Sequence, residues 1–125
     1  RPLSTGDVVM AQTTVDAFTP NTVLKSGKKG LNTKSGSTSN VTIAGSDLAQ
    51  NQLVTIKDKK NAPREWTGNL GAVAIFNGKQ QATADVTEGK GTKHIGPKDN
   101  PTDISVTVGG SNPTPFNNVN TGDGP

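Results

Sequence analysis

Short runs in which apolar and polar residues alternate recur along the chain and predict β-strands. Asp7–Phe18 alternates over its whole length and ends at the turn residues Thr19-Pro20-Asn21. Shorter runs with apolar residues on one side follow at Asn40–Ala44, Leu53–Lys57 and Asp103–Val108. Because successive side chains of a strand point to opposite faces, each run predicts one buried face and one exposed face.

The segment Leu70–Thr87 carries the clearest local signal, because Asn77-Gly78 separates two alternating runs. This dipeptide accepts positive φ at both positions, as the type I′ turn of a two-residue hairpin requires. Pairing across the turn sets Phe76 opposite Lys79 and Ile75 opposite Gln80. It also predicts one apolar face formed by Gly71, Val73, Ile75, Ala82, Ala84 and Val86.

Polar segments separate these strands and predict loops. The long ones are Ser26–Asn40, Lys59–Asn69 and Glu88–Thr102, which are rich in small polar residues and lysine. Ser46–Gln50 predicts a single helical turn capped by Ser46. The strands are therefore expected to be short and joined by exposed connections.

Several short strands separated by turn signals predict an all-β fold, a single-domain antiparallel β-sandwich or barrel with long polar loops. A length of 125 residues suits one domain. We expect this domain to span residues 1–110. Residues 111–125 are rich in Pro, Gly and Asn, and they predict a flexible or irregular C-terminal tail.

Composition and motifs argue against catalysis. The chain has no cysteine, and its one histidine, His94, lies in a Gly- and Lys-rich loop without a neighbouring nucleophile. Gly89-Lys90-Gly91-Thr92 lacks the first glycine and the helix of a phosphate-binding loop. Asp99–Asp103 lacks the ligand spacing of an EF-hand and indicates a turn. We therefore predict a protein that is not an enzyme and needs no metal or cofactor.

Lysine clusters give the chain a formal net charge of +3. Basic loops gathered at one end of a sandwich would attract a surface polyanion such as a glycosaminoglycan. The candidate polyanion site consists of Lys25, Lys28, Lys29, Lys34, Lys90 and Lys93. The alternative is a lysine-rich surface that keeps a β-protein soluble and protects its edges. Specific nucleic-acid binding is not expected, because aromatic residues for base stacking are few.

Trp66 is the one tryptophan of the chain and lies in a predicted loop beside Arg64. An exposed tryptophan in a loop marks a binding surface, so Trp66 is a candidate binding-loop residue. The alternative is a plug, at least partly buried, that closes one end of the fold.

These observations favour a non-enzymatic extracellular structural or adhesive subunit, such as a fimbrial (pilus) subunit or a surface-adhesin domain. Such a subunit would assemble with other protein subunits by strand exchange. The donated strand is predicted in Asp103–Val108, whose apolar face is Ile104, Val106 and Val108, or in Asp7–Phe18.

The alternative function is that of a phage virion component, namely a head-decoration, tail or fibre domain. The corresponding location is the cell surface or the virion. A start at Arg1-Pro2 without Met is typical of an exported or trimmed chain. The chain contains no run of about 18 apolar residues, so its sequence predicts no membrane span. A polymer subunit should present an unfilled groove or an exposed strand edge, whereas a decoration protein should form a closed domain.

Overall fold

The computed structural model describes residues 12–59, 64–89 and 100–124. These residues form nine strands and no helix, and the strands make one nearly closed, mostly antiparallel, barrel-shaped sheet. The prediction of an all-β single domain is therefore confirmed. The strands are β1 (Thr14–Pro20), β2 (Leu31–Asn32), β3 (Thr38–Ser46), β4 (Leu53–Asp58), β5 (Glu65–Leu70), β6 (Ala74–Phe76), β7 (Lys79–Glu88), β8 (Asn100–Val108) and β9 (Thr114–Gly122).

The strands follow one another around the sheet in the order β1-β3-β7-β5-β4-β8-β9-β2, and β6 pairs separately with β7. All of these pairings are antiparallel except that of β2 with β9. We call the end of the barrel at Thr14, Gln80 and Thr114 the turn end. We call the end at Pro20, Glu88 and Asn100 the loop end.

The core is formed by alternate residues of the central strands, as the apolar pattern predicts. The buried set includes Val41, Ile43, Val54, Ile56, Val86, Ile104, Val106 and Val108, none of which is measurably exposed to solvent. Each such side chain contributes roughly 1.5–3 kcal/mol by leaving water. The predicted inward faces of the segments at 40–44, 53–57 and 103–108 are thus confirmed.

The Asn77-Gly78 hairpin is confirmed in its turn and in part of its apolar face, because Ala82, Ala84 and Val86 are buried and Val73 packs against the core. Asn77 and Gly78 have φ values of 51° and 77°, and Phe76 pairs with Lys79 as predicted. Leu70, not Gly71, pairs with Ala84, because three residues (71–73) lie opposite two (82–83). The hairpin tip lies at the edge of the sheet where the pairing of β3 with β7 ends at Gly45↔Gln80, and there Ile75 is 68% exposed and Phe76 is 64% exposed.

The predicted C-terminal tail is also wrong for the residues that the structure describes. Thr114–Gly122 forms β9, which pairs with β8 from Asn100↔Thr121 to Val106↔Thr114. The pattern of this strand was hidden because its inward positions carry Phe116, Val119 and Thr121 without regular apolar alternation. The fold therefore continues past residue 110.

Three other segments differ from their predicted structure. The polar segment Ser26–Asn40 contains β2 and a fully buried Leu31, and Lys59–Asn69 contains all of β5 except its last residue, Leu70. Ser46–Gln50 forms no helical turn, since Ser46 ends β3 and Asp47 has a φ of 55°. In the two polar segments, tertiary contacts bury residues that local sequence makes look like loop.

The first predicted strand is shifted along the chain. β1 begins at Thr14 and includes Thr19 and Pro20, which were predicted as a turn. A bulge at Asp16 separates the pairs Val15↔Gly45 and Ala17↔Ala44. Residues 7–11 of the predicted strand lie outside the described residues.

Gly68 lies where two neighbouring strands approach closely. A Cβ atom on Gly68 would lie 2.0 Å from the carbonyl oxygen of Asp85 on β7. Gly68→Ala should therefore force β5 away from β7 and lower the free energy of unfolding by about 2–3 kcal/mol. Urea denaturation measures this change.

The matched control is Gly89→Ala, because a Cβ atom there meets nothing within 4 Å. This variant should change stability by less than about 0.5 kcal/mol. Equal stability of the two variants would contradict the close approach of β5 and β7.

Candidate functional site

The barrel-shaped sheet is open along one line, between its first and last long strands. Among the described residues, β1 pairs only with β3, while β9 pairs with β8 and, at its last two residues, with β2. The other edge of β1 therefore faces the edge of Thr114–Val119 in β9 without a hydrogen-bonded ladder. We call the space between these two edges the seam.

The seam contains a groove with an aromatic floor. The rings of Phe18 and Phe116 lie with their centroids 5.7 Å apart and their planes tilted by 38°. Both side chains are partly buried and pack against the core. The groove has a volume of about 390 Å³ and is lined by Phe18, Thr19, Pro20, Lys29, Phe116, Asn117, Asn118, Val119 and Asn120.

Strand direction explains why the seam stays open. The seven strands of six or more residues alternate in direction along the order β1-β3-β7-β5-β4-β8-β9. Because seven is odd, β1 and β9 both run from the turn end to the loop end. Direct closure would need a parallel pair in a sheet built from antiparallel ladders. One additional strand that runs the opposite way would pair antiparallel with both edges.

An eighth strand also suits the size of the barrel. A barrel of about eight strands has an interior that side chains just fill. In the structure, β2 occupies the loop end of the eighth position, where Leu31 pairs with Thr121 and Asn32 with Gly122. The groove lies beside β2 along the same position, between Phe18–Pro20 of β1 and Phe116–Asn120 of β9.

Both edges of the seam carry features that limit strand pairing. β1 has a bulge at Asp16 and ends at Pro20, and β9 contains Pro115 and a left-handed Asn118 with φ of 57°. Proline and bulges are common ways to stop edge strands from pairing indiscriminately. The seam is therefore suited to one short strand and not to open-ended sheet growth.

A buried polar cluster holds β2 in place at the loop end. Nη1 of Arg64 lies 3.2 Å from a carboxylate oxygen of Glu88, and both side chains are almost fully buried. The same nitrogen donates a hydrogen bond of 2.8 Å to the carbonyl of Thr33, and Nε1 of Trp66 donates one of 2.7 Å to the carbonyl of Asn32. These bonds fix the segment that closes the loop end.

Trp66 is therefore not an exposed binding-loop residue, and that prediction is wrong. Its side chain is completely buried in β5 beneath β2. The alternative prediction, a plug at one end of the fold, describes its position. The error arose because only Trp66 and Leu70 of β5 face the core, which makes the segment look like a polar loop.

The predicted donor strand around Ile104, Val106 and Val108 is also wrong. β8 pairs with β4 on one side and β9 on the other, and all three side chains are fully buried. Donating this strand to another molecule would dismantle the core. Sequence pattern alone does not separate a core strand from a donated one, because both alternate in the same way.

The candidate polyanion residues within the described part of the chain lie at the loop end. Lys25, Lys28, Lys29 and Lys34 are exposed in the connection from β1 to β3, and Lys57 and Lys59 are exposed at the end of β4. Three acidic residues of the same end, Asp58, Glu88 and Asp123, are buried. Lys90, Lys93 and His94 lie outside the described residues.

Among residues 12–59, 64–89 and 100–124, no cluster of three or more His, Cys, Asp or Glu side chains is arranged to bind a metal ion. No helix in that part of the chain is long and apolar enough to cross a membrane.

The chain matches no protein-family model and has no significant match among curated proteins or among solved structures.

Removing one partner of the buried ion pair should destabilise the fold strongly. Arg64→Met takes away the cation beside Glu88, and we expect a loss of about 3–5 kcal/mol in the free energy of unfolding. The control is the double variant Arg64→Met/Glu88→Leu, which should lose much less than the sum of the two single variants. Additive losses in urea denaturation would contradict the coupling of these two side chains.

Proposed function

We propose that the chain is a non-enzymatic structural or adhesive subunit of an extracellular assembly, of the fimbrial or surface-adhesin kind. It assembles by accepting a β-strand from another protein subunit at the seam. The observation that carries this proposal is the pair of unpaired edges, β1 and β9, that face each other and run in the same direction. A single antiparallel strand is the element that completes such a sheet.

The energetics require the incoming strand to bring apolar side chains. Each backbone hydrogen bond contributes a net 0.5–1.5 kcal/mol or so, whereas association costs roughly 4–15 kcal/mol in lost freedom. A short ladder on two edges only partly offsets that cost. Burial of apolar side chains against Phe18, Phe116 and Val119 supplies the remainder, because those residues line the groove.

The groove favours this function over that of a phage head-decoration, tail or fibre domain. A closed domain would leave neither an unpaired edge nor a groove. The seam has both, and they lie on β1 and β9. A virion component remains the alternative, and a protein whose mass never changes with concentration would favour it.

Assembly through the seam should depend on Phe116. We expect the native mass of the protein to rise above that of one copy as its concentration increases. Phe116→Lys places a charge in the groove and should keep the protein monomeric, because burying an unpaired cation is costly. Light scattering coupled to size-exclusion chromatography measures the mass across a concentration series.

Phe76→Lys is the matched control, since Phe76 is the exposed phenylalanine at the hairpin tip, away from the seam. This variant should assemble like the parent protein, and circular dichroism should show both variants folded. A parent protein that stays monomeric at all concentrations would contradict the proposed function. So would a Phe116→Lys variant that assembles normally.

We also propose that the loop end binds a surface polyanion. The observation that favours this second function is that the strands bring six exposed lysines to one end, where three acidic residues are buried. These lysines are Lys25, Lys28, Lys29, Lys34, Lys57 and Lys59. Such a field attracts polyanions and weakens as salt screens it.

Charge reversal at the loop end should weaken retention on heparin. We expect Lys28→Glu to elute at lower salt than the parent protein, and Lys28→Glu/Lys29→Glu at lower salt still. Lys79→Glu is the control for the single variant, because it makes the same change in charge near the turn end, beside Asp16. Equal elution of the parent and the double variant would discard the polyanion site.

A further inference from the structure

We infer that the strand accepted at the seam is the N-terminal segment Leu3–Ala11 of a second copy, and that two copies exchange this segment reciprocally in a closed dimer. This inference rests on the proposed function, because it names the occupant of the seam and the form of the assembly. Four observations carry it: the composition of this segment, its length, its point of attachment and the direction of the missing strand.

Composition singles out the N-terminal segment among the parts of the chain outside the described fold. Val8, Val9, Met10 and Ala11 form an apolar run, with Leu3 a few residues earlier. The internal segments 60–63 and 90–99 are polar and contain Pro63 and Pro97. A strand that must bury apolar side chains against Phe18 and Phe116 is therefore best supplied by residues 3–11.

Length agrees with this assignment. The edge of β1 that faces the seam spans seven residues, Thr14–Pro20. A strand of that length extends about 23 Å at roughly 3.3 Å per residue. The nine residues Leu3–Ala11 extend about 30 Å at the same rise, so they cover the whole edge of β1 and lead directly into Gln12.

The first described residues oppose insertion of the segment into the seam of its own copy. Thr13 donates its hydroxyl to the carbonyl of Asp47 at 2.8 Å and accepts a hydrogen bond of 2.9 Å from Nε2 of Gln52. Nε2 of Gln12 lies 3.4 Å from the carbonyl of Gly110. These contacts tie residues 12 and 13 across the turn end, and Gln-Thr is not a dipeptide that favours the tight turn of a two-residue hairpin.

Direction then determines the form of the assembly. The missing strand runs from the loop end to the turn end, so its C-terminal residue, Ala11, leaves the acceptor at the acceptor's turn end. The next residue of the donor, Gln12, lies at the donor's own turn end. The two turn ends therefore meet, and each copy's segment is close to the other copy's seam. Reciprocal exchange then closes a two-fold dimer, because the second insertion is intramolecular.

A complementation experiment with the full chain tests this inference. Val8→Asp/Met10→Asp damages the donated segment and leaves the seam intact. Phe116→Lys damages the seam and leaves the N-terminal segment intact. We expect the parent protein to reach a mass of two copies and no more. Each variant alone should become half dimeric only at a concentration at least about tenfold above that of the parent, which corresponds to a penalty of at least about 1.4 kcal/mol.

Mixing the two variants should restore a species of two copies, because one variant supplies the segment and the other supplies the seam. Ser4→Asp/Thr5→Asp is the matched control for added charge within the same segment, outside its apolar run, and it should dimerise like the parent.

The outcomes separate this inference from the proposed function. A parent protein that assembles while Val8→Asp/Met10→Asp assembles equally well would overturn the assignment of the segment and leave the seam as the site. Growth of the parent to masses far above two copies would overturn the closed dimer. Failure of the parent to assemble at any concentration would overturn the proposed function itself.

Discussion

The structure depends on a constraint of direction among its strands. Antiparallel ladders join β1, β3, β7, β5, β4, β8 and β9 in turn, so each strand reverses the direction of the one before it. An even number of such strands closes into an antiparallel barrel, and an odd number does not. With seven strands, two edges of the same direction meet, and their backbone groups on that side have no strand partner within the described fold.

The seam is filled differently at the two ends of the barrel. At the loop end, β2 is held on β9 by its own pairing and by the buried polar cluster of Arg64, Glu88 and Trp66. β2 itself is only two residues long and buries one leucine completely, so the polar cluster adds contacts that its short pairing lacks. Between β2 and the turn end no described strand fills the seam, and the rings of Phe18 and Phe116 lie in contact across it. Function is therefore expected where the packing of the fold is incomplete.

Local sequence predicted the parts of the fold in which each strand carries its own signal. The alternation of Val41 with Ile43 and of Ile104 with Val106 identified core strands, and Asn77-Gly78 identified its turn. The sequence analysis did not predict β5 and β9, because their buried residues Trp66 and Val119 stand among polar neighbours and form no alternating apolar pattern. The seam was beyond local sequence, because strand parity depends on the whole order of pairing. The donor role predicted for β8 failed for the same reason.

The central claim is that β1 and β9 are unpaired at the seam in a single copy and become paired in the assembly. Amide hydrogen exchange, measured on the parent protein below and above its assembly concentration, tests this directly. The account predicts that the alternate amides of β1 and β9 that point into the seam exchange rapidly in the dilute protein, unlike the amides bonded to β3 and β8. These seam-facing amides should gain protection on assembly, together with amides in 3–11. Seam-facing amides that are already protected in the single copy, or that gain no protection when the mass rises, would contradict it.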